Sequence, residues 1–140
     1  MPTLERAIAL AATAHAGQTD KAGAPYILHL LRVMMAQASE TAMMAAVLHD
    51  LVEDTDHTFD DLADEDFPEP VIEALRHVTK REGESYADFA ARAGSHPIAR
   101  QVKIADLEDN MDVTRLDAVG DADAERLAKY LRAWTALTRT

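Results

Sequence analysis

The chain has no cysteine in its 140 residues, which excludes disulfides, thiolate metal ligands and a cysteine nucleophile. Aromatic residues are sparse at 5%, whereas alanine, leucine and methionine are plentiful, a balance that favours helix over sheet. Cations are also few: 14 lysines and arginines against 25 acids leave a formal charge of −11. That charge argues against general binding to nucleic acid or anionic membranes. An anionic small molecule is still compatible, because a divalent ion and a few local cations can reverse the field inside one cleft. No apolar run reaches membrane-spanning length. The stretch from Ala7 to Ala14 imitates a signal sequence only faintly, being short, mostly alanine and preceded by Glu5, and reads as an amphipathic first helix. The expectation is a cytoplasmic protein forming one domain over residues 1–140, long enough to bury a single core.

What is present is punctuation between helices. A first helix is predicted from Thr3 or Leu4 to about His15, stopping at Gly17. The polar loop from Gly17 to Pro25 suits ligand contacts. Pro25 opens a second helix reaching about Gln37. Ser39 or Glu40 opens a third, expected to run unbroken to Glu53 or Asp54. Thr58 with Asp61 caps a short fourth helix, Pro68 and Pro70 start a fifth, and Ser85 starts a sixth. Pro97 opens a seventh to about Val113, and a last helix carries Leu127, Leu131, Trp134 and Leu137 at spacings of three and four. Met34, Met35, Met43 and Met44 read as core packing. The predicted fold is all-α, a compact bundle of about seven or eight helices.

The chemistry concentrates in His49-Asp50-Leu51-Val52-Glu53-Asp54, at the end of the apolar run Met43 to Leu48. On an unbroken helix, residues four apart share a face, so Glu53 would sit below His49 and Asp54 below Asp50. Acids and imidazole pooled beside so apolar a segment call for a cation or substrate to relieve their repulsion. His29 lies on an otherwise apolar helix, and Asp106 and Asn110 share a face one turn apart. Alone, His29 would more often be a hydrogen-bonded core histidine and Asp106 a surface acid. Together, two imidazoles and two carboxylates form a mixed nitrogen and oxygen set suited to Mn²⁺, Fe²⁺ or Zn²⁺. A metal there would lower the pKa of a water and polarise a phosphorus centre. His15 reads as loop-orienting or internal, and His57, His77 and His96 as surface or structural.

Five segments in order carry a resemblance: Ala14-His15-Ala16-Gly17-Gln18-Thr19, Pro25-Tyr26-Ile27-Leu28-His29, Leu48 to Thr55, Val78-Thr79-Lys80 and Val102-Lys103-Ile104-Ala105-Asp106. The chain resembles the HD superfamily of metal-dependent phosphohydrolases, in particular the hydrolase domain of the RelA/SpoT alarmone enzymes. The resemblance implies an all-helical HD-domain fold and one divalent ion, usually Mn²⁺, held by His29, His49, Asp50 and Asp106. It implies that Glu53 and Asp54 position and deprotonate the attacking water. Its substrate would be guanosine tetra- or pentaphosphate (ppGpp or pppGpp), cut at the 3′-pyrophosphate, with Lys21, Lys80, Asn110 and Tyr130 matching nucleotide or phosphate contacts.

Two departures stand out. The first loop has Asp20-Lys21 where the family commonly has Arg-Lys. Ala105-Asp106-Leu107-Glu108-Asp109-Asn110 stands where the family usually has Ala-Asp-Arg-Leu-His-Asn. Loss of a cation at Leu107, an acid in place of a polar or aromatic group at Asp109 and gain of an acid at Asp20 are expected to alter the substrate pocket and spare the metal and catalytic residues. Metal-dependent hydrolysis of a small phosphorylated nucleotide is therefore expected, with alarmone 3′-pyrophosphohydrolysis as the leading form. The alternatives are another nucleotide or phosphorylated cofactor as substrate and, from a different class, a metal-stabilised nucleotide sensor without turnover. No synthetase segment follows the last helix, so synthesis of such a substrate is expected to lie elsewhere.

Overall fold

In the order of the chain, the structure, a computed structural model describing residues 2–139, forms α1 (Leu4–Ala14), α2 (Ile27–Met35), α3 (Glu40–Val47), α4 (Leu51–Asp54), α5 (Phe59–Asp64), α6 (Glu69–Val78), α7 (Tyr86–Gly94), α8 (Pro97–Asn110) and α9 (Asp121–Thr138). A 3-10 turn, Val113–Arg115, precedes α9. The caps follow from the sequence. Thr3, Ser39 and Ser85 each accept from the backbone N–H three residues on, and Thr58 and Asp61 form a reciprocal capping box. Gly17 takes φ +85° just beyond α1, a left-handed turn that a residue with a Cβ resists.

The all-α bundle is as expected, with one division. The third helix, read as continuous to Asp54, breaks at Leu48-His49-Asp50 into α3 and α4. Leu48 and Asp50 both sit near φ −100° with ψ close to zero. The hydrogen bonds tighten there to a three-residue span, His49 N–H to the Ala46 carbonyl and Leu51 N–H to the Leu48 carbonyl. The helical relation between Asp50 and Asp54 survives, because Asp54 N–H still reaches the Asp50 carbonyl at 3.0 Å.

Helix α3 is the centre of the larger core and packs against α1, α2, α6 and α8. Ala45, Ala46 and Val47 are wholly buried, and small side chains on several faces let neighbouring helices approach from more than one direction. Leu51, Leu62 and Leu75 seal this core, each burial favouring folding by about 1.5–3 kcal/mol. A smaller cluster joins α7, α8 and α9 through Ala90, Leu107, Ala133 and Leu137. Leu107 is 0% exposed in that cluster, so its departure from the family pattern is a packing residue against α9 and not a change in the substrate pocket. Met34 and Met44 are core residues, but Met35 is 70% exposed, because it lies on the opposite face of α2 from His29 and Val33.

Candidate active site

Three segments far apart in the chain meet where α2, the α3–α4 turn and α8 pack together. His29 comes from the first turn of α2, His49 and Asp50 from the turn, and Asp106 from the last turns of α8. The donor atoms of His29, His49 and Asp50 lie within 4.8 Å of one another. Asp106 Oδ1 lies 3.0 Å from His29 Nε2 and 3.2 Å from His49 Nε2, and Asp50 Oδ2 lies 3.2 Å from His49 Nε2. His29, His49 and Asp106 are all buried.

The outer nitrogens of both rings fix their tautomers. His49 Nδ1 is 2.6 Å from the Ala46 carbonyl, which can only accept, so Nδ1 carries the proton. The turn exposes this carbonyl, since an unbroken helix would commit it to the N–H of Asp50. His29 Nδ1 is 2.6 Å from Asp109 Oδ2, likewise an acceptor. With Nδ1 carrying a proton, each ring in its neutral form would turn a bare Nε2 lone pair toward the Asp106 carboxylate, and in its charged form an Nε2–H. Lone pairs facing a carboxylate oxygen at hydrogen-bond distance repel unless a proton or a cation lies between them. This donor set, two imidazole nitrogens with two carboxylates, fits a divalent ion.

The charges respond to one another. Burial opposes charging of His29, but Asp106 and Asp109 outweigh it and push its pKa up to about 10. His49 is raised as well: burial works against its charge, and Asp50 and Asp106 overcome it. Burial by itself would raise Asp106, yet Lys103 and the two histidines hold its carboxyl well below the usual range. Lys103 Nζ donates to Asp106 Oδ2 at 3.2 Å and sits over the Tyr86 and Phe89 rings at 5.0 and 4.6 Å. Tyr26 donates its hydroxyl to Asp50 Oδ2, and burial together with Asp50 pushes its phenol far up, so that it stays a donor.

Glu53 and Asp54 line the same recess as His49, Asp50 and Asp106, a cavity of about 240 Å³. Glu53 Oε1 accepts from the backbone N–H of Lys80 at 2.5 Å. Burial, with Asp50 and Asp54 nearby, raises its pKa, while the Lys80 N–H pulls the other way. Asp54 is raised by burial and by Asp50.

A wider cleft of about 490 Å³ adjoins this recess and shares Tyr26, Asn110 and Tyr130 with it. Asn110 also donates to Asp106 Oδ1 at 3.1 Å. Lys21 lines the wider cleft and Lys80 the recess. Asp20 also lines the wider cleft and has a second role in its loop. Its Oδ1 accepts the N–H groups of Ala22 and Ala24 at 2.9 and 3.0 Å, tying off the loop that carries Lys21.

Sequence reasoning missed Tyr26 and Lys103 as members of the site and read Asp109 only as a change in the substrate pocket, not as the partner of His29. A signal for Asp109 was present: it follows Asp106 by three residues, as Arg32 follows His29, and the two pairs meet across α2 and α8. His15 packs internally, its Nδ1 2.8 Å from Gln18 Oε1, and Gln18 reaches the Asp54 carbonyl. His96 caps α8 and stacks with His77.

Comparison with known proteins places the chain among relatives. A guanosine-3′,5′-bis(diphosphate) 3′-pyrophosphohydrolase of Aquifex aeolicus is 32% identical over 120 residues, covering 77% of this chain and 17% of the relative. The bifunctional (p)ppGpp synthase/hydrolase SpoT of Escherichia coli K12 is 38% identical over 90 residues, covering 61% of this chain and 12% of the relative. The chain thus spans less than a fifth of the length of these relatives. A solved structure described as a metazoan ortholog of SpoT that hydrolyzes ppGpp shares the fold, with a TM-score of 0.80 at 24% identity over 99% of this chain and 88% of that one. The HD domain family pattern matches residues 7–107, a span that takes in His29, the His49-Asp50 turn and Asp106. The chain belongs to the HD domain family.

Proposed function

We propose that this protein is a metal-dependent phosphohydrolase that removes the 3′-pyrophosphate of guanosine tetra- or pentaphosphate. The observation that carries the reading is the convergence of His29 Nε2 and His49 Nε2 on Asp106 Oδ1 at 3.0 and 3.2 Å, in a recess that Asp50, Glu53 and Asp54 also line. Relatives named as hydrolases of that nucleotide support the substrate. His29, His49, Asp50 and Asp106 would hold one divalent ion, Mn²⁺ being the leading candidate and Fe²⁺ or Zn²⁺ the alternatives. Such an ion supplies Lewis acidity toward phosphoryl oxygens and a lowered pKa for water.

The chain's own residues account for the rest. Glu53 is anchored through one oxygen by Lys80 N–H, which leaves the other to take a proton from the attacking water. Asp54, on the next residue of α4, orients that water. Water adds to the phosphorus bonded to the 3′-oxygen, and the bond between that phosphorus and the 3′-oxygen breaks. Pyrophosphate leaves with the water's oxygen, and the proton held by Glu53 is available to the departing 3′-oxygen. Asn110 and Tyr130, shared by both cavities, sit where the nucleotide would pass from the recess into the wider cleft, with Lys21 and Lys80 as phosphate contacts. We place this chemistry in the cytoplasm; among the described residues no helix is long and apolar enough to cross a membrane.

A second substrate within the same chemistry, another nucleotide or phosphorylated cofactor, is favoured by one observation. Arg115 and Arg126 line the wider cleft but are engaged by Asp109, Asp112 and Asp123. The test is incubation of the purified protein with Mn²⁺ and guanosine tetraphosphate, with pyrophosphate release expected. Turnover of a different phosphate ester with no pyrophosphate release would sink the alarmone reading. Nucleotide binding without turnover of any phosphate ester in any divalent metal, undiminished in Glu53→Ala/Asp54→Ala, would make the protein a sensor.

A further inference from the structure

We infer that Asp109 is a positioning residue of the metal centre: it holds His29 in the one orientation and tautomer that presents Nε2 to the ion. The inference rests on the metal-site reading above. The two imidazoles are supported differently. His49 Nδ1 is held by a neutral backbone carbonyl, whereas His29 Nδ1 is held at 2.6 Å by a carboxylate. A carboxylate behind the ring fixes its rotation and makes the opposite nitrogen a stronger donor to a cation.

The carboxylate is itself fixed. Arg32 reaches it through both Nε and a terminal nitrogen, at 2.7 and 3.1 Å, and Arg115 approaches Asp109 Oδ1 at 3.4 Å. Arg115 also donates to the Asp109 backbone carbonyl at 3.0 Å. The Asp109 side chain is only 11% exposed, while Arg32 and Arg115 are 36% and 29% exposed. The two guanidiniums can therefore return to water if Asp109 is removed. His29, 4% exposed, cannot. An ion pair serving only to join α2 to α8 would need Arg32 and Asp109; it would not need the short contact to a buried ring whose far nitrogen points at Asp106.

The test is Mn²⁺ binding to the metal-stripped full chain, followed by calorimetry without substrate, so that its outcome is independent of which phosphate ester is turned over. Asp109→Ala should weaken Mn²⁺ binding about 10–100-fold. Asp109→Asn, whose amide oxygen still accepts from Nδ1–H, should lose less and serves as the near-isosteric variant should alanine disturb folding. Arg32→Gln keeps Asp109 against His29 while breaking the bridge between helices, and should retain Mn²⁺ affinity to within about threefold. The inference is overturned if Asp109→Ala binds Mn²⁺ within twofold of the wild type, or if Arg32→Gln loses as much affinity as Asp109→Ala. A wild-type protein that binds no divalent ion overturns the metal reading and this inference together. Tight binding by both wild type and Asp109→Ala overturns the inference alone.

Discussion

Lys103 brings a full positive charge into an interior position, 6% exposed, and remains charged there because Asp106 and two aromatic faces surround it. Burial alone would lower its pKa, yet Asp106 and Tyr86 more than reverse that and raise it. Lys103 and the cation proposed at the histidines would therefore share the task of balancing one carboxylate. Removing one partner of a buried pair leaves the other uncompensated, at a cost of about 3–5 kcal/mol. Lys103→Met should lower stability by an amount of that order in chelator, and by clearly less with saturating Mn²⁺, where the ion compensates Asp106. Denaturant unfolding with and without metal measures both. An equal loss under the two conditions would show that Lys103 acts on packing and not on the charge of Asp106. The sequence could suggest His29, His49, Asp50 and Asp106, because each sits in a motif that can be read locally. Lys103, Tyr26 and Asp109 matter through contacts made by the fold: the His29–Asp109 contact spans 80 residues and the Tyr26–Asp50 contact 24.

Helix ends organise the next scale, and Arg92 shows how one element finishes another. From α7 it donates to the carbonyls of Arg76 and Thr79 at 2.7 and 2.8 Å, satisfying the end of α6. Glu84 holds it in place with two contacts at 2.9 and 2.8 Å. The Arg92 guanidinium, helped by Arg81 N–H, holds the Glu84 carboxyl down to about 2 from its ordinary 4.5. A depressed carboxyl pKa stabilises the folded state fully above the unfolded value, and that contribution disappears as pH falls through the folded one. Glu84→Gln should therefore melt below the wild type at neutral pH, with the difference closing between about pH 4.5 and pH 2. A difference that stays constant across that window would mean the carboxylate charge contributes nothing. These caps were legible in part: Thr58 with Asp61, Ser39 and Ser85 announce their helices by residue type and spacing. The break at His49 was not, since nothing in Met43 to Asp54 disfavours a helix strongly. The turn is set by His49 bonding back to Ala46 while its other nitrogen points at Asp106.

For the whole molecule, the net charge of −11 and the assembled site act on the same protons. The proposed ligands, separated by 77 and 57 residues, converge only in the folded chain, so metal binding there would stabilise the entire bundle and compete with protons for both imidazoles. Activity should fall on the acid side, where protons displace the ion from His29 and His49 and where Glu53 and Asp54, raised by burial, lose their basic form. The raised affinity of both rings for a proton when the ion is away strengthens that competition. A flat profile down through the carboxylate range would contradict the proposed roles. Two manipulations should separate the contributions. Raising free Mn²⁺ moves the imidazole component to lower pH, because more metal displaces protons from the same nitrogens, and leaves the Glu53 component where it was. Raising salt moves the whole acid limb to lower pH. The negative field of the molecule concentrates protons at the site, and its reach shrinks from about 30 Å at 0.01 M to about 8 Å at 0.15 M ionic strength. The measurement is kcat/KM against pH at two salt and two Mn²⁺ concentrations. A limb that ignores metal removes the histidines from the metal centre. A limb that ignores salt means that local partners such as Lys103 and Asp106, and not the surface charge of the protein, set the protonation of the site.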